Sequence, residues 1–166
     1  LGDLIPRAFF VAKKVRTSTR IGAAAVSVSS VAIELARKIL GDLENKCVLF
    51  MGAGKMSALA AKHLSDAGIQ DIYVANRTPE RSEKMAAQFS GQAVPFEDRF
   101  SYVIRADIVL VSTGSDSFIL TKSEVEGIIK KRKYRPLFII DISVPRNVDP
   151  AVNELENVFV YDIDDL

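Results

Sequence analysis

From residue 47 onward, short unbroken apolar runs alternate with stretches whose apolar positions recur every three or four residues. The runs are Cys47–Met51 (CVLFM), Ile72–Ala75 (IYVA), Ile108–Val111 (IVLV), Leu137–Ile140 (LFII) and Val158–Tyr161 (VFVY). Ala93–Phe96 (AVPF) is a weaker run, because Pro95 has no N–H to give to a ladder. Runs without polar alternation predict strands covered on both faces, the habit of parallel sheets. Between them, Ser57–Ala67, Pro79–Phe89 and Thr121–Lys131 carry helical spacing. Gly68 closes the first of these helices, and Thr78 and Pro79 read as N-cap and first helical residue of the second. Strands joined through helices predict right-handed βαβ units, hence a doubly wound parallel α/β sheet over residues 46–161. Ahead of it, residues 1–45 read as a linker and an alanine-rich helix, Gly22–Leu40, that packs on the sheet. Residues 162–166 read as the start of a connection onward, and the chain, opening at Leu1, reads as a piece of something longer.

Composition narrows the class. The 166 residues are 48% hydrophobic and 26% charged, the balance of a globular domain with a real core. Twenty-two basic residues against 21 acidic leave a net charge of +1, too little for a module that lives on phosphate neutralisation. One Cys and one His can form neither an internal disulfide nor a structural zinc site, which suits a reducing, cytoplasmic setting. The most apolar stretch, Ile21–Ile33, is too short and too rich in serine to span a membrane, and the N-terminus lacks the pattern of a signal peptide. Charge is unevenly spread: Lys130, Lys131, Arg132, Lys133 and Arg135 form a basic run that reads as a solvated helix end. The alternative for that run is a polyanion contact. The acidic residues after Asp149 read as a solvated connection.

The chemistry concentrates at the first strand-to-helix turn, Gly52-Ala53-Gly54-Lys55-Met56-Ser57. This is the placement that a Rossmann-type dinucleotide fingerprint demands. Gly52 allows the tight turn, Gly54 lets a pyrophosphate approach the backbone, and the helix N-terminus offers free N–H groups to the phosphates. Ser57, in place of a third glycine, is small enough for close helix–strand packing. The plainer alternative is an ordinary turn with no ligand. The tip of the second strand, Asn76-Arg77-Thr78, carries no carboxylate for a ribose 2′-hydroxyl. Arg77 can instead pair with a 2′-phosphate, with Asn76 and Thr78 as further donors, so NADPH is the expected cofactor. Ser112, Thr113 and Gly114 after the fourth strand, and Asp141 and Ser143 after the fifth, are expected on the nicotinamide side of the crevice. Turn and cap chemistry is an equal alternative for Asp141 and Ser143. Cys47 reads as a core residue, and His63 as a surface or packing residue. No catalytic acid, base or nucleophile emerges, and no metal site is expected.

These stretches together resemble glutamyl-tRNA reductase, the first enzyme of tetrapyrrole synthesis by the five-carbon route. Val15-Arg16-Thr17-Ser18-Thr19-Arg20-Ile21-Gly22, followed by Ala25-Val26-Ser27-Val28-Ser29, is similar to the stretch leading out of that family's catalytic domain. Asp141-Ile142-Ser143-Val144-Pro145-Arg146-Asn147-Val148-Asp149-Pro150 and Tyr161-Asp162-Ile163-Asp164-Asp165-Leu166 resemble its most specific signatures. The resemblance implies an NADPH-binding domain between a catalytic domain with a cysteine nucleophile and a C-terminal helical dimerisation region. It implies hydride transfer that releases glutamate-1-semialdehyde from glutamyl-tRNA, a homodimer in full length, and channelling to glutamate-1-semialdehyde aminomutase. The Thr-Cys-Asn-Arg type motif of the nucleophile does not occur in this chain, so Cys47 does not inherit that role and the chain alone is expected to be inactive. Two other readings share the glycine loop: an NADPH-dependent dehydrogenase of shikimate type, and a non-catalytic nucleotide-sensing module.

Overall fold

The computed structural model describes residues 28–165. Helix α1 (Val28–Leu40) leads to strand β1 (Cys47–Met51), and from there strands and helices alternate. In order they are α2 (Lys55–Asp66), β2 (Asp71–Ala75), α3 (Pro79–Gln88), β3 (Gln92–Val94), α4 (Arg99–Arg105), β4 (Ile108–Val111), α5 (Lys122–Lys131), β5 (Leu137–Asp141) and β6 (Val158–Asp162). Short 3₁₀ turns at Phe96–Asp98 and Pro150–Glu154 complete the path. All five strand pairings are parallel, in the order β3-β2-β1-β4-β5-β6, so the expected doubly wound Rossmann-type sheet is present.

The unbroken apolar runs become strands because the sheet is covered twice. On one face, Val48, Phe50, Ile108, Leu110, Phe138 and Ile140 pack under α1, α2 and α3, with Ala36, Ala60, Leu64 and Met85 from those helices. On the other, Leu49, Met51, Val109, Val111 and Ile139 meet Val103 of α4 and Val125, Ile128 and Ile129 of α5. β1 lies at the centre, with β2 on one side and β4 on the other. The crevice between their C-terminal ends is the switch point where such sheets take ligands.

Several boundaries differ from the sequence reading. The first helix of the alternation opens at Lys55, two residues ahead of Ser57, directly against the glycine turn. β3 stops at Val94 because Pro95 cannot continue it, and Phe96 begins a 3₁₀ turn where a strand residue was expected. The fourth helix, α4, carries an apolar pattern too short to mark it in the sequence: it has seven residues, and only Val103 among them is fully buried. The alanine-rich helix is present from Val28. The part of it placed at 22–27, the linker before it and the stretch Val15–Gly22 lie outside the described residues.

The basic run is also corrected at one position. Lys130, Lys131, Lys133 and Arg135 are exposed, as a solvated helix end requires, but Arg132 is 2% exposed. Its guanidinium donates to the carbonyls of Val103 (2.7 Å), Ile104 (2.9 Å), Ala106 and Pro136 (2.7 Å). Arg132 therefore closes the C-terminal end of α4 and ties it to α5, which is what a helix too short to hold itself requires. Burial, and secondarily the neighbouring Arg135, lower its pKa to about 10, which leaves it charged at neutral pH. The acidic end of the chain is likewise tied in. Arg146 pairs with Asp162 at 2.8 Å and with Asp164 at 2.8 Å.

Candidate functional site

The glycine turn is built by two glycines with opposite reasons for being glycine. Gly52 has φ +105°, and a Cβ there would lie 2.0 Å from the carbonyl oxygen of Ser112. The packing of β1 against the β4 loop leaves no room for any side chain. Gly54 is the N-cap of α2 with φ −87° and ψ 179°, a conformation open to every residue, and a Cβ on it would meet nothing within 4 Å. The fold does not require a glycine at 54. Gly54 has no side chain with which to cap α2, and among the described residues the first-turn N–H groups have no side-chain partner. The far helix α5 satisfies its own start, with Thr121 and Glu124 forming a reciprocal capping box.

A cleft of about 300 Å³ lies above this turn. Its floor and walls are Ala53 and Gly54 after β1, Asn76, Arg77 and Thr78 after β2, and Ser112, Thr113 and Gly114 after β4. The three strand tips that the sequence singled out therefore converge on one crevice. Gly114, like Gly54, has open space where a Cβ would stand. Arg81, Phe96 and Ser115 also line the cleft, and the sequence reading missed all three. Arg81 could have been found from its place one turn into α3, on the side of Arg77. Phe96 and Ser115 carry no local signal, because their position depends on the 3₁₀ turn and on a loop fold. Lys55 borders an adjoining groove with Arg81 and Lys84, and Met56 is exposed. Ser57 is fully buried in the packing of α2, and its hydroxyl has no hydrogen-bond partner among the described residues.

Arg77 is exposed, and among the described residues it forms no ion pair with a carboxylate. Its guanidinium donates to the Ser115 hydroxyl at 3.2 Å and stands 5.7 Å from the Phe96 ring centre. The Asn76 amide donates to the Thr78 carbonyl at 2.9 Å. Thr78 occupies the N-cap position of α3 without a side-chain cap bond, so its hydroxyl is not committed to the helix.

Asp141 and Ser143 do not line the cleft as expected. Asp141 is 1% exposed, and its carboxylate accepts from the backbone N–H groups of Ser143 (3.0 Å), Asn147 (2.7 Å) and Val148 (2.8 Å). Charge-assisted bonds to three amides make it the anchor of the loop after β5. Ser143 is also buried and accepts from the Thr113 N–H at 3.2 Å, so it supports the cleft wall from behind. The turn-chemistry alternative describes both residues better than direct contact with a ligand.

Cys47 sits at the opposite, N-terminal end of β1. Burial, aided by the charges of Asp107 and Asp71, pushes its thiol up to about 11, so it stays protonated and unreactive at neutral pH. Among the described residues there is no cluster of metal-ligating side chains and no helix long and apolar enough to cross a membrane.

Comparison with known proteins gives this geometry a family. The model of the shikimate / quinate 5-dehydrogenase family matches residues 34–166. Glutamyl-tRNA reductase of Pelobacter propionicus is 52% identical over the entire chain, which spans 38% of that relative's length. Among solved structures, glutamyl-tRNA reductase of Methanopyrus kandleri superposes with a TM-score of 0.80 at 40% identity, over 96% of this chain and 40% of that one. The nucleotide binding domain of glutamyl-tRNA reductase from Thermoplasma volcanium superposes with a TM-score of 0.64 over 86% of this chain and 89% of its own, at 20% identity. The residues that carried the resemblance thus lie within a likeness that extends over the whole sequence. With its glycine turn, its parallel sheet and a matching stretch from 34 to 166, the chain belongs to the shikimate / quinate 5-dehydrogenase family, and within it is the kind of domain that glutamyl-tRNA reductases carry.

Proposed function

We propose that this chain holds NADPH in the crevice above Gly54 and serves as the cofactor domain of a longer glutamyl-tRNA reductase. The observation that carries this reading is the pair Gly54 and Gly114. Both face the same cleft with nothing where a Cβ would stand, and in neither does the backbone demand glycine. The missing side chains leave the backbone at both points open to a ligand that lies against it. The α2 N-terminus and the Gly54 backbone would receive the pyrophosphate, and Arg77, without a carboxylate partner among the described residues, the 2′-phosphate. Bound NADPH would supply hydride. The chain's own residues bind and orient the cofactor and leave the acyl substrate to a part of the enzyme outside this sequence.

In that reading the substrate is glutamyl-tRNA and the product glutamate-1-semialdehyde, made in the cytoplasm for tetrapyrrole synthesis. The working enzyme is a homodimer whose product passes to the aminomutase that follows. Cys47, protonated and at the far end of β1, supports assigning the nucleophile elsewhere. The family match alone would equally suit a shikimate-type dehydrogenase, but identity of about half over every residue favours the first reading.

Thermal unfolding with NADPH, with NADH and without ligand tests the proposal. NADPH at about 100 times its Kd stabilises by roughly 2.7 kcal/mol, which for this size raises Tm by about 5–10 °C. The expected result is that rise with NADPH and little with NADH. Equal shifts would remove the 2′-phosphate assignment to Arg77, and no shift with either would remove the cofactor site.

A further inference from the structure

The loop after β4 is held in an unusual way. Asn147, in the loop after β5, is 0% exposed and spends its whole amide on that neighbouring loop. Its Nδ2 donates to the carbonyls of Ser115 (2.8 Å) and Ser117 (3.3 Å), and its Oδ1 accepts from the Thr113 hydroxyl. Its backbone N–H is fixed by Asp141 at 2.7 Å, and its carbonyl accepts from Ile119 at 2.7 Å. Both ends of the segment 113–119 are thus tied to one buried side chain and its peptide. Inside that segment, the Thr113 hydroxyl accepts from the Ser115 N–H at 3.2 Å. The Ser115 hydroxyl, 4% exposed as a residue, accepts from Arg77 at 3.2 Å. An unbroken chain of hydrogen bonds therefore runs from the anchored end of β5, through the β4 loop, to the guanidinium at the tip of β2.

We propose that Ser115 is a specificity-determining residue for the 2′-phosphate and that Asn147 is the positioning residue behind it. The inference rests on the NADPH reading above. Ser115 is an acceptor without charge. It orients Arg77 across the crevice while leaving its positive charge unneutralised for a dianionic ligand group. A carboxylate in its place would hold the guanidinium more strongly and cancel what the phosphate is attracted to. Asn147 supplies what Ser115 cannot supply itself, a fixed backbone position in an exposed loop whose neighbours Gly114 and Asp116 give it no packing support.

The test uses adenosine 2′,5′-bisphosphate and AMP as probes that differ by the 2′-phosphate alone, with NADPH and NADH alongside. Titrations are made on the 166-residue chain and on Arg77→Ala, Ser115→Ala, Ser115→Asp, Asn147→Asp and the Arg77→Ala/Ser115→Ala double variant. Ser115→Ala should weaken the bisphosphate and NADPH by about tenfold, the scale of a hydrogen bond to a charged group, and leave AMP and NADH within twofold. Ser115→Asp should reduce or invert the preference. Asn147→Asp keeps the acceptor for Thr113 but loses both donated bonds, and should follow Ser115→Ala in direction. On the Arg77→Ala background, Ser115→Ala should add nothing.

Equal losses of the two probes would make Asn147 and Ser115 merely structural and overturn the inference. So would full preference in Ser115→Ala while Arg77→Ala abolishes it, and the NADPH reading would then stand. If Arg77→Ala itself leaves the preference unchanged, the assignment of Arg77 falls and takes the inference with it. Ser115→Ala removes one buried oxygen and introduces no charge, so it decides the matter even if Asn147→Asp fails to fold.

Discussion

At the scale of single residues, the site separates groups that serve the fold from groups left over for a ligand. Gly54→Val should keep Tm within a few degrees and lose NADPH binding by more than about tenfold, because its branches enter space that only a ligand uses. Calorimetric titration beside a melting curve distinguishes the two effects. Arg77→Glu places like charge against the 2′-phosphate and should abolish the preference for NADPH over NADH, read as a ratio of Kd values. Cys47 offers a prediction in pH. The folded thiol keeps its proton up to about 11, whereas in the unfolded chain it ionises near its ordinary value of 9.0. The stability tied to this protonated thiol is thus present below pH 9 and lost as pH rises through 11. Alkylation of the native chain should remain slow at pH 8 and accelerate only toward 11. Cys47→Ser should bind NADPH as before, and a native thiol that reacts at pH 8 like a free one would contradict the raised pKa of this half-buried group.

At the scale of elements, the strands were legible and one helix was not, for a common reason. CVLFM, IVLV and LFII announce themselves because a strand covered on both faces needs apolar residues without interruption, and nothing else in the chain looks like that. The tight turn at Gly52 was legible because φ +105° excludes other residues. Helix α4 has no such local signature. Phe100, Tyr102 and Ile104 are only partly buried around Val103, and the end of the helix is completed by an arginine 27 positions beyond it. Its existence is a tertiary fact, and so is the burial of Arg132 within what looks like a solvated basic run. For Asp141 the sequence leaves ligand contact and turn chemistry as equal alternatives, and only the folded loop favours the second. A carboxylate at a strand tip looks like a ligand group until the loop is seen to fold back onto it. Arg132→Met removes the donors to the carbonyls of Val103, Ile104, Ala106 and Pro136 and should cost about 3 kcal/mol or more in urea unfolding, mainly from unpaired polar groups left inside. An exposed neighbour, Lys131→Met, should cost under about 0.5 kcal/mol.

At the scale of the molecule, the sheet order puts β1 between β2 and β4, so the tips of all three strands share one rim and a single cofactor can be read by three loops at once. The opposite rim carries Cys47 and Asp107, where the backbone N–H of Cys47 donates to the Asp107 carboxylate at 3.0 Å. The cleft rim itself divides between positions that the fold constrains and positions that it leaves open. Gly52 and Gly54, two positions apart, turn that division into something a variant library would display. Sorted only for soluble, protease-resistant chains, position 52 should stay glycine while position 54 fills with many residue types. Sorted a second time on an immobilised nucleotide, position 54 should collapse back to glycine. The distance between the two enrichment profiles would measure, without any assay of turnover, how much of this sequence is kept by the fold and how much by its ligand.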